Sequence, residues 1–116
     1  MVHAWKQGLE IAEPVYSPRT HIATLATGDP GRTYSLLFQR MKQQQAGTFE
    51  AVSDEETFRM IHILAKMEGF SVEPAAAVAF AGLTKLIRAG VIKPTDTIVV
   101  NCTGHTMPVE KIILGR

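Results

Sequence analysis

The sequence has one cysteine and a net charge of only +1, and each scarcity removes a class of function. Without a second thiol, Cys102 can form no disulfide within the chain, so a reducing compartment, the cytoplasm, is expected. The 12 Lys and Arg residues, set against 11 Asp and Glu, are scattered rather than clustered, which leaves no electrostatic footprint for a nucleic-acid partner. His3, His21, His62 and His105 stand too far apart to read as ligand pairs, so no metal is expected. Long apolar runs are absent too. The longest, at 74–83, is too short to span a bilayer, and the first residues do not resemble a secretory signal, so no membrane partner is expected. There is no internal repeat, and QQQ at 43–45 is too short to count as low complexity.

What is present is the balance of an ordinary globular protein, 46% apolar and 20% charged, in a length that suits a single domain over 1–116. Val2, Trp5, Leu9 and Ala12 keep helical spacing over 1–13, until Glu13-Pro14 and Ser17-Pro18 impose extended or looped chain. THIATLATGDPG (20–31) begins as a short strand or helix and ends in a turn. A helix follows over 32–45, with Tyr34, Leu37, Phe38 and Met41 on one face and Gly47 as its stop.

The pattern then becomes regular. TFEAV (48–52) reads as a strand with Phe49 and Ala51 on one side. Ser53-Asp54-Glu55-Glu56 is a capping box, in which hydroxyl and carboxylate each take the other residue's amide. The helix it opens, 54–68, is expected to bury Phe58, Ile61, Leu64 and Ala65 and to end at a left-handed Gly69. FSV (70–72) is a short strand or connection. Pro74 suits the first turn of the next helix, where Ala76, Ala79, Phe80, Leu83, Leu86 and Ile87 keep helical spacing up to Gly90. No polar side chain occurs over 75–83, so this stretch is expected to be enclosed on every side, with Gly82 allowing close backbone approach. The near-continuous apolar character of 98–100 suits a strand at 97–102 covered on both faces. Strand, helix, strand, helix, strand is the order of an α/β fold: three layers, with a mainly parallel sheet flanked by helices. Val109, Ile112 and Ile113 would give a short closing helix at 108–114.

Beyond that strand comes Thr103-Gly104-His105-Thr106. Ligands of open parallel sheets sit outside the carboxyl ends of the strands. Gly104 permits a tight turn and close approach, Thr103 offers one donor and two lone pairs, and His105 a ring that donates, accepts or stacks. Read locally, the same residues also make a polar turn.

The segment EGFSVEPAAAVAFAGLTKLIRAGVIKPTDTIVVNCTGH (68–105) resembles the C-terminal region of the threonine synthase family among fold-type II pyridoxal-phosphate enzymes. Glu73-Pro74-Ala75-Ala76-Ala77 is similar to that family's helix start, and Thr103-Gly104-His105 to the motif after its Val-rich strand. VSDEE (52–56) also fits, and THIATLATGDPG more loosely. After His105 the family often continues TGHG-Leu-Lys, whereas Thr106-Met107-Pro108 stands here.

The resemblance implies a fold, being part of the large domain of such an enzyme, and a cofactor, pyridoxal phosphate. It implies that the Thr103 hydroxyl faces the pyridine nitrogen, with Gly104 and Glu73 also at the cofactor. A neutral hydroxyl donates to an unprotonated nitrogen, which leaves the ring a weaker electron sink than a carboxylate would and suits elimination or replacement at the β and γ carbons. Read locally, Glu73 is instead a carboxylate favoured by a helix N-terminus. The implied reaction converts O-phosphohomoserine and water to threonine and phosphate; cysteate synthesis and dehydration are sister reactions.

The family's covalent lysine and phosphate-holding loop both lie upstream of the matched region. Lys6, Lys42, Lys66, Lys85, Lys93 and Lys111 occupy helix or loop positions outside that context. The chain is therefore expected to be a C-terminal fragment of the catalytic domain, inactive alone, with no catalytic residue of its own and binding the cofactor poorly. Its expected partners are a small amino-acid substrate, the missing N-terminal portion and further copies of itself. Two other classes remain open: a thiol enzyme using Cys102 and His105, and a non-catalytic α/β interaction module.

Overall fold

The computed structural model describes residues 1–29 and 31–105. The chain packs as two compact units, Met1–Ala51 and Val52–Arg116. The expected closing helix at 108–114 lies outside the described residues.

In the first unit, α1 (Val2–Lys6) is much shorter than the apolar spacing predicts. Gly8 stops it with a left-handed φ of 70°. The Gly8 amide donates to Trp5 and the Leu9 amide to Ala4, the paired bonds of a Schellman ending. A 3-10 turn at Ala23–Leu25 and the helix α2 (Gly31–Gln44) follow. α2 ends at Gln44, one residue short of the predicted 45, and Gln45, not Gly47, is the first left-handed residue after it. Of the predicted α2 face, Phe38 is buried and Met41 half-buried, while Tyr34 and Leu37 stay exposed. The core is aromatic. Trp5 meets Phe38 and Phe49 edge-on at 5.9 and 5.2 Å, and Phe38 stacks on Phe49 at 5.8 Å. Such pairs contribute about 0.5–1.5 kcal/mol each beyond area burial.

The second unit is built on α3 (Asp54–Glu68) and α4 (Pro74–Arg88). α3 begins at a complete capping box and ends at Gly69, whose φ is 71°. Its buried face is Thr57, Ile61 and Leu64. The stripe is therefore rotated toward Thr57 from the predicted one, leaving Phe58 half-buried and Ala65 exposed. Thr57 is tolerated inside because its hydroxyl donates to the Ser53 carbonyl at 2.8 Å. Ile61 and Leu64 pack with Val72, Ala76 and Ala77, and Phe58, Met60 and Phe80 border that cluster. The small alanines of α4 let the two helices come close, since each removes a side chain that would hold them apart.

The predicted sheet does not form among the described residues. Its segments at 48–52 and 97–102 have no ladder, and the only pairing is an isolated antiparallel bridge between Val72 and His105. Ile98 is 43% and Val99 86% exposed, so the expected burial on both faces is absent here. A strand gains its stability from neighbours on either side, and no described segment supplies them. The enclosure predicted for 75–83 is likewise partial. Ala76, Ala77 and Ala81 are buried, Ala79 is exposed, and a Cβ added at Gly82 would meet nothing within 4 Å.

Candidate functional site

The site residues picked out in the sequence gather at one end of the second unit, where the start of α4 meets the loop after 97–102. Glu73 is the residue that caps α4. Its backbone is extended (φ −69°, ψ 158°), and Pro74 follows within the first turn, where a missing amide costs no hydrogen bond. The Glu73 carbonyl accepts the amides of Ala76 and Ala77, both at 3.1 Å. Its side chain makes no capping hydrogen bond. Glutamate is a poor cap compared with Ser, Thr, Asp or Asn, so this carboxylate is directed elsewhere.

It lies over Gly104. A Cβ built on Gly104 would run into the Glu73 Oε1 and stand 2.6 Å from its Cδ and 2.8 Å from its Cγ. Gly104 is not among the residues with positive φ, so the tight-turn reason for a glycine does not hold. Space for Glu73 is the reason instead. One residue on, His105 pairs with Val72, joining the loop to the chain just ahead of Glu73. The structure therefore brings Glu73 and Gly104 into contact, with both half-buried, and leaves Cys102, Thr103 and His105 exposed beside them.

This donor set fits a pyridine ring. An exposed hydroxyl at Thr103 offers the neutral donor that an unprotonated ring nitrogen accepts. Three of the described lysines are held in ion pairs with carboxylates other than Glu73. Lys6 pairs with Glu50 at 2.9 Å, Lys42 with Glu10 at 2.7 Å, and Lys85 with Glu56 at 3.6 Å. Lys66 and Lys93 are exposed on α3 and in a turn, and Lys111 lies outside the described residues.

Two cavities lie elsewhere. One of about 400 Å³ in the first unit is lined by Val15, Leu25, Gly28 and Tyr34, among others, and takes in none of these site residues. A smaller one, about 120 Å³, runs between α3 and α4 past Glu56, Arg59, Lys85 and Arg88. Sequence reasoning found neither of them. It also missed the pairing of Val72 with His105, because β-propensity marks extended segments without saying which of them meet. No group of three or more potential metal ligands occurs among the described residues, and no described helix is long and apolar enough to cross a membrane.

Comparison with known proteins shows the family. Residues 1–104 match the family model described as pyridoxal-phosphate dependent enzyme. The chain is 36% identical over 107 residues to the threonine synthase of Methanosarcina acetivorans, covering 92% of this chain and 26% of that protein. It is 38% identical over 97 residues to the threonine synthase of Mycobacterium tuberculosis, covering 84% and 26%. A third relative, the threonine synthase of Methanocaldococcus jannaschii, is 34% identical over 105 residues, or 90% and 25%. The chain thus spans about a quarter of the length of the curated relatives it matches.

Proposed function

The chain belongs to the pyridoxal-phosphate dependent enzyme family, and from that premise we propose that it supplies the ring-nitrogen side of the active site of a threonine synthase-like enzyme. The observation that carries this reading is the meeting of Glu73 with Gly104 beside an exposed Thr103. Two separate stretches of sequence, at Glu73 and at Thr103-Gly104, converge there. When bound, pyridoxal phosphate withdraws electrons from the substrate carbon next to the amino group. In this proposal the Thr103 hydroxyl donates a hydrogen bond to the ring nitrogen and keeps it unprotonated, and Gly104 leaves room for Glu73 beside it. A hydroxyl cannot give its proton away as a carboxylic acid would, so the nitrogen keeps its lone pair.

The proposed reaction of the complete enzyme is elimination of phosphate from O-phosphohomoserine, followed by addition of water to give threonine. Names of relatives support it: all three described above are threonine synthases. The positions of the described lysines support a second part of the proposal, that this chain has no turnover without the remainder of the catalytic domain. We place 97–102 as a strand of a parallel sheet completed by that remainder, which would cover Ile98 and Val99.

The test is the protonation state of the ring nitrogen in the complete enzyme, read from the ¹⁵N shift of labelled cofactor. Thr103→Asp is expected to move that shift to the protonated value, and Thr103→Val to leave it unprotonated while O-phosphohomoserine turnover falls about 10-fold or more. An unchanged shift in Thr103→Asp with cofactor still bound would overturn the assignment.

A further inference from the structure

Glu73 is the cap residue of α4 but makes no side-chain capping bond, and its carbonyl alone serves the first turn. The side chain is left for another task. It fills the volume that a Cβ on Gly104 would need, 2.6 Å from Cδ and 2.8 Å from Cγ. One residue further, the backbone of His105 is paired with that of Val72. Two ties, one through a side chain and one through the backbone, therefore join 72–73 to 104–105. Thr103 is the first residue beyond them and is exposed.

We propose that Glu73 and Gly104 form a steric latch that sets where the Thr103 hydroxyl is presented, which makes both of them positioning residues. The proposal rests on the cofactor reading of Thr103 given above. Because φ at Gly104 is outside the left-handed region, alanine meets no left-handed strain there, and the three atoms nearest its Cβ all belong to Glu73. The colliding atoms belong to a flexible side chain. Since Cγ is among them, twisting the carboxylate does not relieve the clash; Glu73 has to leave its rotamer and swing off the loop. Gly104→Ala therefore releases the latch while leaving the helices standing, and Glu73→Ala releases it from the other side. Glu73→Gln has the same shape and keeps it.

The experiment uses the chain itself, without cofactor, followed by the Thr103 methyl resonance and by amide exchange at Val72 and His105. Gly104→Ala and Glu73→Ala are each expected to move the methyl resonance and speed exchange at His105 by about 10-fold or more. The double variant goes no further than either single one, because both remove the same contact. Glu73→Gln keeps the native signals, which separates positioning from a requirement for charge. Effects of the two single changes that add in the double variant overturn the latch. So does a folded Gly104→Ala chain with an unmoved Thr103 signal. Should Gly104→Ala unfold the chain, adding Glu73→Ala makes room for the new methyl and restores folding; failure to do so counts against the latch. With no cofactor in the sample, this outcome is independent of the ring-nitrogen measurement, so either reading can fail alone.

Discussion

Ser53 and Glu56 hold each other's amides. The Glu56 N–H donates to the Ser53 Oγ at 3.1 Å, and the Ser53 N–H donates to the Glu56 Oε2 at 2.7 Å. Two of the donors that a helix start would leave unpaired are met within four residues of sequence. The Ser53 carbonyl also receives the buried Thr57 hydroxyl, so the box anchors a core residue as well as a helix end. Ser53→Ala removes the acceptor for Glu56 N–H, and a loss of about 0.5–2 kcal/mol is expected. Urea denaturation followed by far-UV circular dichroism measures it. A midpoint equal to that of the parent chain would show that the box adds nothing.

The same geometry makes a statement about pH. The Glu56 carboxyl is held below the usual carboxylate range, first by the hydrogen bond from the Ser53 amide and next by the Lys85 ammonium; desolvation works against both. A carboxylate whose folded-state value is depressed stabilises the fold above its unfolded value, and the contribution disappears as pH falls through the folded one. Acidification below the ordinary carboxylate range is therefore expected to weaken the chain, and Glu56→Gln to flatten that part of the profile. Thermal midpoints of both chains, measured in steps from neutral to acidic pH, test this. Parallel curves would remove Glu56 as a source of the dependence.

The boundaries of α3 and the capping box could be read directly from the sequence, because Ser53, Glu56 and Gly69 act on neighbours within one turn. α1 could not. Its apolar spacing runs on past the point where Gly8 ends the helix, since the side-chain pattern does not record a left-handed φ. Thr103 and Gly104 stand out locally as small polar residues after an apolar run, and Glu73 through the family resemblance, but their convergence at the start of α4 is not visible in their order along the chain. The tight-turn reason for Gly104 does not hold: the neighbour it accommodates, Glu73, is 31 positions earlier. The sheet was read from apolar runs. Such runs say that a segment seeks cover, while the cover itself comes from elsewhere in the chain or from beyond it.

That last point makes Val99 informative. It is 86% exposed, so in this chain its side chain gives up little contact on substitution. Val99→Asp should change the stability of the isolated chain by no more than about 0.5 kcal/mol, the usual range for a surface position. In the complete enzyme, where we place 97–102 inside a parallel sheet, the same carboxylate would be buried without a partner. There the expected cost is several kcal/mol, enough to unfold a domain of ordinary stability or to strip it of cofactor. Comparing soluble yield and cofactor absorbance of the parent and Val99→Asp enzymes, beside the denaturation midpoints of the two isolated chains, measures both halves. If the complete enzyme carries the aspartate with unchanged yield and absorbance, 97–102 is not an interior strand, and Thr103 at its end loses the support that places it at the ring.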